Sequence, residues 1–325
     1  MRAQVLRVAA PGGPDVLKVE SVTLPEPAAG EVRVRQTAIG LNYLDVYHRS
    51  GLYPLPMPTG VGSEAAGIVE EIGPGVSLVS AGDRVVYAGG PPGAYASHRN
   101  VEASRLVAIP DAVTDELAAA VMLKGMTVEY LLNRCHAVKP GEHVLFHAAA
   151  GGVGLLAGQW GRHLGATMVG VAGGTNKCRL AREHGYAELI DRTSENVVER
   201  VKTITDGAGV PVVYDSVGKA TFNVSIACLA PRGIFVSFGT TTGAPPPVEA
   251  SVLQKRGSLY FTRPTLVTYT ARREELVASA TAVFDMVIRG VITVHIGARY
   301  ALADAARAHA DLEAGRTVGS SILVP

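Results

Sequence analysis

The stretch "HVLFHAAAGGVGLLAGQWGR", residues 143–162, restricts the fold more than any other part of the chain. An apolar, strand-like run (143–148) gives way to small residues and to Gly151, Gly152 and Gly154. Val153, Leu156, Trp160 and Leu164 then recur at spacings of three and four, the mark of one helix face. A strand, a glycine turn and a helix in that order place backbone N–H groups at a helix start, where the helix dipole favours a phosphate. Side chains in the turn would obstruct the approach, hence the glycines. The spacing is not G-x-G-x-x-G in register: Ala149 stands at the first position, and Gly151 and Gly154 fill the other two. A turn with glycines for packing alone is the competing reading, and the strand-helix-strand context decides for dinucleotide binding.

That context continues. "TMVGVAG" (167–173), "ELID", "PVVYDSVG", "GIFVSFG" and "GSLYFT" (257–262) read as strands, with "NKCRLAREHG", "ENVVERVKTI" and "FNVSIACLA" as helices between them. Such alternation implies an α/β unit with a doubly wound parallel sheet. The first third differs. "EVRVRQTAIG" (31–40), "GSEAAGIVEEIGPGV" (62–76) and "AGDRVVYA" (81–88) are short strands among Pro/Gly-rich turns, which fits a β-rich unit. "REELVASATAVFDMVIRG" (273–290) reads as an amphipathic helix closed by Gly290, and "GSSILVP" as a strand returning to the first unit. The expected division is residues 1–124 with 265–325 in the β-rich domain and 125–264 in the nucleotide domain.

Composition narrows the function. A hydrophobic content of 47% and a charged content of 18% suit a globular protein with a large core. A net charge of +1 gives no electrostatic case for nucleic acid or an anionic membrane. No apolar run reaches membrane-span length, and "MRAQVLRVAAPGG" lacks a signal-peptide core. Cys135, Cys178 and Cys228 are few and far apart, which argues for a reducing cytoplasm.

The second strand chooses between cofactors. An acidic residue there would bind the ribose 2′-hydroxyl of NAD. Instead "AGGTNKCR" offers Gly173, Gly174 and Thr175 for space and Lys177 for charge, and Arg192 follows the next strand. These suit a 2′-phosphate, so NADPH is the expected cofactor. A solvated lysine and a solvated arginine are the plainer alternatives for Lys177 and Arg192.

The segment "PGEHVLFHAAAGGVGLLAGQWGR" (140–162) resembles the quinone oxidoreductase, or zeta-crystallin, signature of the medium-chain dehydrogenase/reductase superfamily. It matches through Gly141, Glu142, Leu145, Ala149, Ala150, Gly151, Gly152, Gly154, Gln159 and Arg162. "GSEAAGIVEEIGPGVSLVSAGDRV" resembles the superfamily's GroES-like domain, and "AIGLNYLDVYHRSGLYP", "VVYDSVG", "VSFG" and "GSLYFTRPTL" resemble the bacterial quinone reductase branch. The resemblance implies a GroES-like domain, a Rossmann NADP-binding domain, an active cleft between them and a homodimer through the "GSLYFT" edge. It places Asn42 and Tyr53 beside the reacting atoms as the catalytic candidates. For the cofactor it implies contacts from Lys124, Thr127 and Tyr130 and from Phe261 and Arg263, while Ser216 and Val217, and Phe238, Gly239 and Thr240, end two strands at the carboxyl edge where ligands bind. Asp45 and Tyr47 read equally as site residues or as structural hydrogen bonds in their loop. Arg263 reads also as an ion-pair residue, and Arg316 as a solvated C-terminal arginine.

Zinc alcohol dehydrogenases of this superfamily carry Gly-His-Glu where this chain has Gly62-Ser63-Glu64, and a Cys where it has Leu41-Asn42. No convergent ligand set is evident, and His147 at a strand end reads as a core or capping histidine. A zinc-free enzyme is therefore expected. Without a Lewis acid a simple ketone is a poor hydride acceptor, whereas a quinone or an activated alkene spreads the charge to a distant oxygen. The expectation is an NADPH:quinone oxidoreductase. The alternatives are an NADPH-dependent enone or enal reductase, and a non-catalytic NADPH-binding protein of crystallin-like or RNA-binding type.

Overall fold

The computed structural model describes residues 1–325, which form two compact units. The first comprises Met1–Met126, Thr270–Ile288 and Val294–Pro325; the second comprises Thr127–Tyr269 and Arg289–Thr293.

The first unit begins with strands β1 (Arg2–Val8), β2 (Lys18–Thr23) and β3 (Glu31–Leu41), then helix α1 (Tyr43–Ser50). Strands β4 (Thr59–Gly60), β5 (Glu64–Ile72), β6 (Arg84–Ala88), β7 (His98–Glu102) and β8 (Val107–Ala108) follow, and helix α2 (Asp115–Glu129) carries the chain out of the unit. Strand β3 is the spine: it pairs antiparallel with β5 and β7. Its apolar residues Val32, Val34 and Ile39 are fully buried in a core shared with Val85, Leu106 and Leu323. Gly51 ends α1 in the left-handed conformation that glycine adopts without a Cβ penalty.

The second unit alternates as its sequence rhythm requires. After a π-helical turn at 130–135 come β9 (His143–His147), α3 (Gly152–His163), β10 (Thr167–Ala172), α4 (Thr175–Glu183) and β11 (Glu188–Asp191). Then follow α5 (Val197–Ile204), β12 (Val210–Asp215), α6 (Phe222–Cys228), β13 (Leu229–Ser237), α7 (Ala250–Lys255), β14 (Tyr260–Thr262) and α8 (Leu266–Tyr269). All six strands are parallel, in the order β11-β10-β9-β12-β13-β14. The order reverses direction beside β9, so ligands are expected at the carboxyl end of that strand. The expected doubly wound sheet is therefore present.

The chain returns to the first unit through α9 (Arg273–Ile288), β15 (Ile296–Ala301), α10 (Ala305–Glu313) and β16 (Ser320–Val324). Helix α9 buries Leu276, Ala280, Val283 and Phe284, one face at helical spacing. Strand β16 pairs antiparallel with β3, Leu323 opposite Ile39, which is the return expected from "GSSILVP". The segment Arg289–Thr293 belongs to the second unit because Gln159 clasps it: the Gln159 amide donates to the Thr293 carbonyl (3.1 Å) and accepts from the Thr293 N–H (2.8 Å).

Close approach of α3 to the following loop requires a glycine. A Cβ on Gly158 would lie 2.5 Å from both the His184 carbonyl oxygen and the Tyr186 ring. Tyr186 is fixed from its other end, donating to the Gly154 carbonyl at 2.8 Å. Gly158→Ala is expected to destabilise the protein by about 1–3 kcal/mol through overpacking, read as a lower urea midpoint with an unchanged slope.

Candidate active site

In the second unit the sequence-predicted nucleotide residues converge on the carboxyl ends of the strands. Gly151 is the N-cap of α3 and no side chain caps that helix, so its first N–H groups are available to an anion. Ala148 turns the chain with a φ of 56°, and a Cβ on Gly154 would collide with the carbonyls of Ala148 and Ala149. Gly151, Gly152 and Val153 thus form a bare cradle. At the end of β10, Gly174 has a φ of 89° and caps α4, whose first turn carries Thr175 and Lys177. Arg192 folds back over this loop: a Cβ on Gly173 would lie 3.1 Å from its guanidinium Nη2. The bare cradle and the Arg192 guanidinium lying against Gly173 suit a dinucleotide with a 2′-phosphate.

Asp191 organises that corner and was missed from sequence. Its Oδ1 accepts from the Gly174 N–H (2.8 Å), the Thr193 N–H (3.0 Å) and the Thr193 hydroxyl (2.6 Å). The Thr193 hydroxyl, more than any other contact, holds its carboxyl below the usual range.

The loops after β12 and β13 interlock. Thr241 and Thr242 donate their N–H groups to the carbonyls of Ser216 (3.2 Å) and Val217 (2.9 Å), and Gly239 is pressed against Ser216. Phe238 packs its ring 5.6 Å from that of Phe146, and Thr240 is buried. Arg263 donates to the Ser237 carbonyl at 2.8 Å, tying the chain after β14 to the same strand end. Beneath them lies a fully buried chain. Ser225 donates to Asp215 Oδ2 (2.6 Å), Asp215 Oδ1 accepts from the Val217 and Gly218 N–H groups, and His147 Nε2 stands 3.0 Å from the Ser225 oxygen. The serine has spent its proton on Asp215, so His147 Nε2 is the donor. Burial pushes the His147 pKa down, which favours the neutral ring. His147 is thus a core histidine, as its strand-end position suggests.

Two expected cofactor residues are engaged elsewhere in this unit. Phe261 turns its ring onto Phe235 (5.3 Å, near perpendicular) in an apolar cluster with Phe222 and Leu259. Tyr130 is buried and stacked on Tyr269 at 4.5 Å, and Thr127 is buried one turn earlier.

In the first unit, Asn42, Asp45, Tyr47 and Tyr53 gather around α1. Asn42 is expected to offer its amide to a ligand, yet here that amide donates to Glu64 Oε2 at 2.8 Å. The reason is electrostatic: Glu64 is fully buried, and a carboxylate out of water needs donors. It also accepts from the Leu123 N–H (2.5 Å) and faces Lys124 Nζ at 3.7 Å. Burial raises the Glu64 pKa, with Lys124 the largest opposing influence. Tyr47 lies between Tyr43 (5.4 Å) and Tyr53 (5.0 Å), its ring tilted 54° to each, giving an aromatic wall.

Asp45 is a structural hub. It accepts from the Asn42 N–H (3.0 Å), the Ser63 hydroxyl (2.7 Å) and the Tyr95 hydroxyl (3.1 Å). Tyr95 in turn stands 3.0 Å from His309 Nε2, and His309 Nδ1 lies 3.4 Å from Arg49 Nη1. Arg49 makes a bidentate pair with Glu313, both bonds 2.8 Å. Burial pushes the Asp45 pKa up to about 6, while burial and then Arg49 push that of His309 down to about 3.

These shifts have opposite consequences. His309 binds fewer protons folded than unfolded, so its contribution is present above its ordinary pKa of 6.5 and is lost as pH falls toward about 3. Asp45 binds more protons folded, so its contribution is present below 3.8 and is lost as pH rises through about 6. Between pH 6.5 and 5 the two oppose each other. Asp45→Asn is expected to expose the histidine effect, making the fall in stability from pH 6.5 to 5 steeper than wild type by roughly 1 kcal/mol in urea titrations. His309→Gln should make it shallower.

Residues 28–111 match the alcohol dehydrogenase GroES-like domain, and residues 152–284 the zinc-binding dehydrogenase family model. Nowhere do three His, Cys, Asp or Glu side chains cluster as metal ligands would, and positions 42 and 63 hold Asn and Ser. The chain is 51% identical over 324 residues to a quinone oxidoreductase of Pseudomonas aeruginosa, covering 99% of this chain and 100% of that one. It is 43% identical over 322 residues to a 2-haloacrylate reductase of a Burkholderia species, covering 97% and 96%. The crystal structure of Escherichia coli quinone oxidoreductase complexed with NADPH superposes with a TM-score of 0.97 at 47% identity, over 99% of this chain and 100% of that one. The chain belongs to the quinone oxidoreductase family of the medium-chain dehydrogenase/reductase superfamily.

Proposed function

We propose that this protein is an NADPH-dependent quinone reductase. The observation that carries the reading is the full-length identity of 51% to a quinone oxidoreductase, together with a nucleotide corner built for an extra phosphate. The N–H groups of Gly151, Gly152 and Val153 would hold the pyrophosphate. Lys177 and Arg192 would hold the 2′-phosphate, with Gly173 and Gly174 giving it room and Asp191 fixing the loop. Ser216, Val217, Phe238, Gly239 and Thr240 would line the nicotinamide side. When bound, NADPH supplies a hydride. The protein's part is to orient the acceptor: Asn42 is held in one rotamer by Glu64, and Tyr53 offers a hydroxyl from an aromatic wall that keeps water away.

A second acceptor class has support of its own. The 43% identity to a 2-haloacrylate reductase favours activated alkenes as further substrates. Both acceptors place negative charge on an oxygen remote from the carbon attacked. We also assign the homodimer contact to the free edge of β14, where Tyr260 is 63% exposed and unpaired backbone invites a second strand. Three free cysteines suit the reducing cytoplasm. No helix is long and apolar enough to cross a membrane.

The deciding experiment follows nicotinamide absorbance with an ortho-quinone in the presence of a chelator. Turnover with NADPH, undiminished by the chelator, is expected; NADPH binding without turnover would sink the reading. Replacing both Lys177 and Arg192 by Ala is expected to raise the KM for NADPH by roughly 10- to 100-fold, the worth of one or two charge-assisted bonds, and that for NADH less than about twofold.

A further inference from the structure

An exposed arginine gives up rotamer freedom when it grips an anion, so whatever holds it beforehand bears on affinity. Arg192 is exposed, and hydrogen bonds fix the backbone on both sides of it. Its own N–H donates to the Ala172 carbonyl at the end of β10 (3.0 Å). The Asp191 carbonyl accepts from the Ser194 N–H (3.1 Å) and the Glu195 N–H (2.8 Å), and the Asp191 N–H donates to Glu195 Oε2 (2.8 Å). The Asp191 carboxylate closes the loop. Its Oδ1 accepts the Thr193 N–H (3.0 Å) and hydroxyl (2.6 Å) on the far side of Arg192, and reaches across to the Gly174 N–H (2.8 Å). Gly174 has a φ of 89° and caps the helix that carries Lys177. One oxygen atom thus joins the loop bearing Arg192 to the turn bearing Gly173, against which the guanidinium lies. Asp191 ends β11, the strand beyond β10. An acidic residue that accepts from the ribose 2′-hydroxyl of NAD would instead end β10 itself.

We propose that Asp191 is the positioning residue for NADPH selectivity. It acts through Arg192: by fastening that loop to Gly174, it sets the guanidinium beside Gly173 before the cofactor arrives. The inference rests on NADPH as the cofactor and is independent of which acceptor is reduced. Asp191 makes no bond to the cofactor. Its charge, brought close to an anion site, is offset by the three donors on Oδ1. NADH has no 2′-phosphate and draws no benefit from the arrangement.

The test is calorimetric titration of the full chain with NADPH and with NADH. It compares wild type, Asp191→Ala, Asp191→Asn, Arg192→Ala and the double variant Asp191→Ala/Arg192→Ala. Asp191→Ala is expected to weaken NADPH binding about tenfold, the worth of ordering one long side chain, and NADH binding less than twofold. The retained NADH affinity also shows that the variant is folded and its glycine cradle intact. Asp191→Asn keeps an oxygen acceptor in place and should stay within about threefold of wild type for both. The double variant should match Arg192→Ala alone, because nothing is left to position. Thr193→Val loosens the same loop with the carboxylate present, and should cost about threefold in NADPH affinity alone. Equal losses for NADPH and NADH would reduce Asp191 to general support of the loop and overturn the proposal. A loss confined to NADH would make it a ribose acceptor, and additive losses in the double variant would separate it from Arg192; either result overturns the proposal, as does unchanged NADPH affinity in Asp191→Ala. A wild type that binds NADH as tightly as NADPH would overturn the cofactor reading itself, and the wild-type titrations show this without any variant.

Discussion

The burial of one carboxylate organises the first unit. Glu64 opens β5 with no exposure to solvent, and isolation of that charge would cost several kcal/mol. Its partners come from three directions: Asn42 beyond the end of β3, the Leu123 backbone in α2, and the Lys124 ammonium one residue on. Satisfying Glu64 therefore fixes a sheet end, a helix start and a second helix against each other. It also dictates Gly40, where a Cβ would strike the Glu64 carboxylate and the Ala119 carbonyl. Removing one partner of such a buried group typically costs about 3–5 kcal/mol, so each of these positions is tightly constrained.

A second device recurs in both units. A hydroxyl stands between a carboxylate and an imidazole: Tyr95 between Asp45 and His309, and Ser225 between Asp215 and His147. In each case the hydroxyl gives its proton to the carboxylate and accepts one from the histidine Nε2. Nε2 must then carry a proton, and burial, by pushing both imidazole pKa values down, favours the neutral ring. In the first unit the chain braces α1, which carries the aromatic wall. In the second it joins the glycine turn after β9 to the loop after β12. Each polar chain thus stiffens backbone beside residues proposed here for ligand contact.

Much of this was legible in the sequence, and the reasons are local. The glycine turn at Gly151–Gly154, the strand and helix rhythm of the second unit and the returning C-terminal strand all follow from short-range pattern. The boundaries that shifted have identifiable causes. Strand β14 starts at Tyr260 because Gly257 and Ser258 both have positive φ, and Arg289–Thr293 joins the second unit because of a side-chain clasp from Gln159. Polar partnerships were invisible. Arg49 meets Glu313 and Tyr95 meets His309 across most of the chain, and no period or spacing records such a pairing. The one available signal was a charged residue inside a run of small apolar ones, as Glu64 is in "GSEAAGIV". Pattern places Asn42 and Phe261 near a site without recording what else their side chains meet, Glu64 for the Asn42 amide and Phe235 for the Phe261 ring.

The threading of the chain has a consequence for how it is made. Strand β3 is complete on only one edge until β16 arrives, because Ile39 pairs with Leu323. Every residue of the second unit is synthesised between those two events. During translation the inserted unit can close its parallel sheet as soon as its strands emerge, while the first waits with an open apolar edge until β16 emerges. Loss of β16 thus leaves a strand made early, β3, unfinished at its Ile39–Leu41 end. The nascent chain needs protection longest at its beginning.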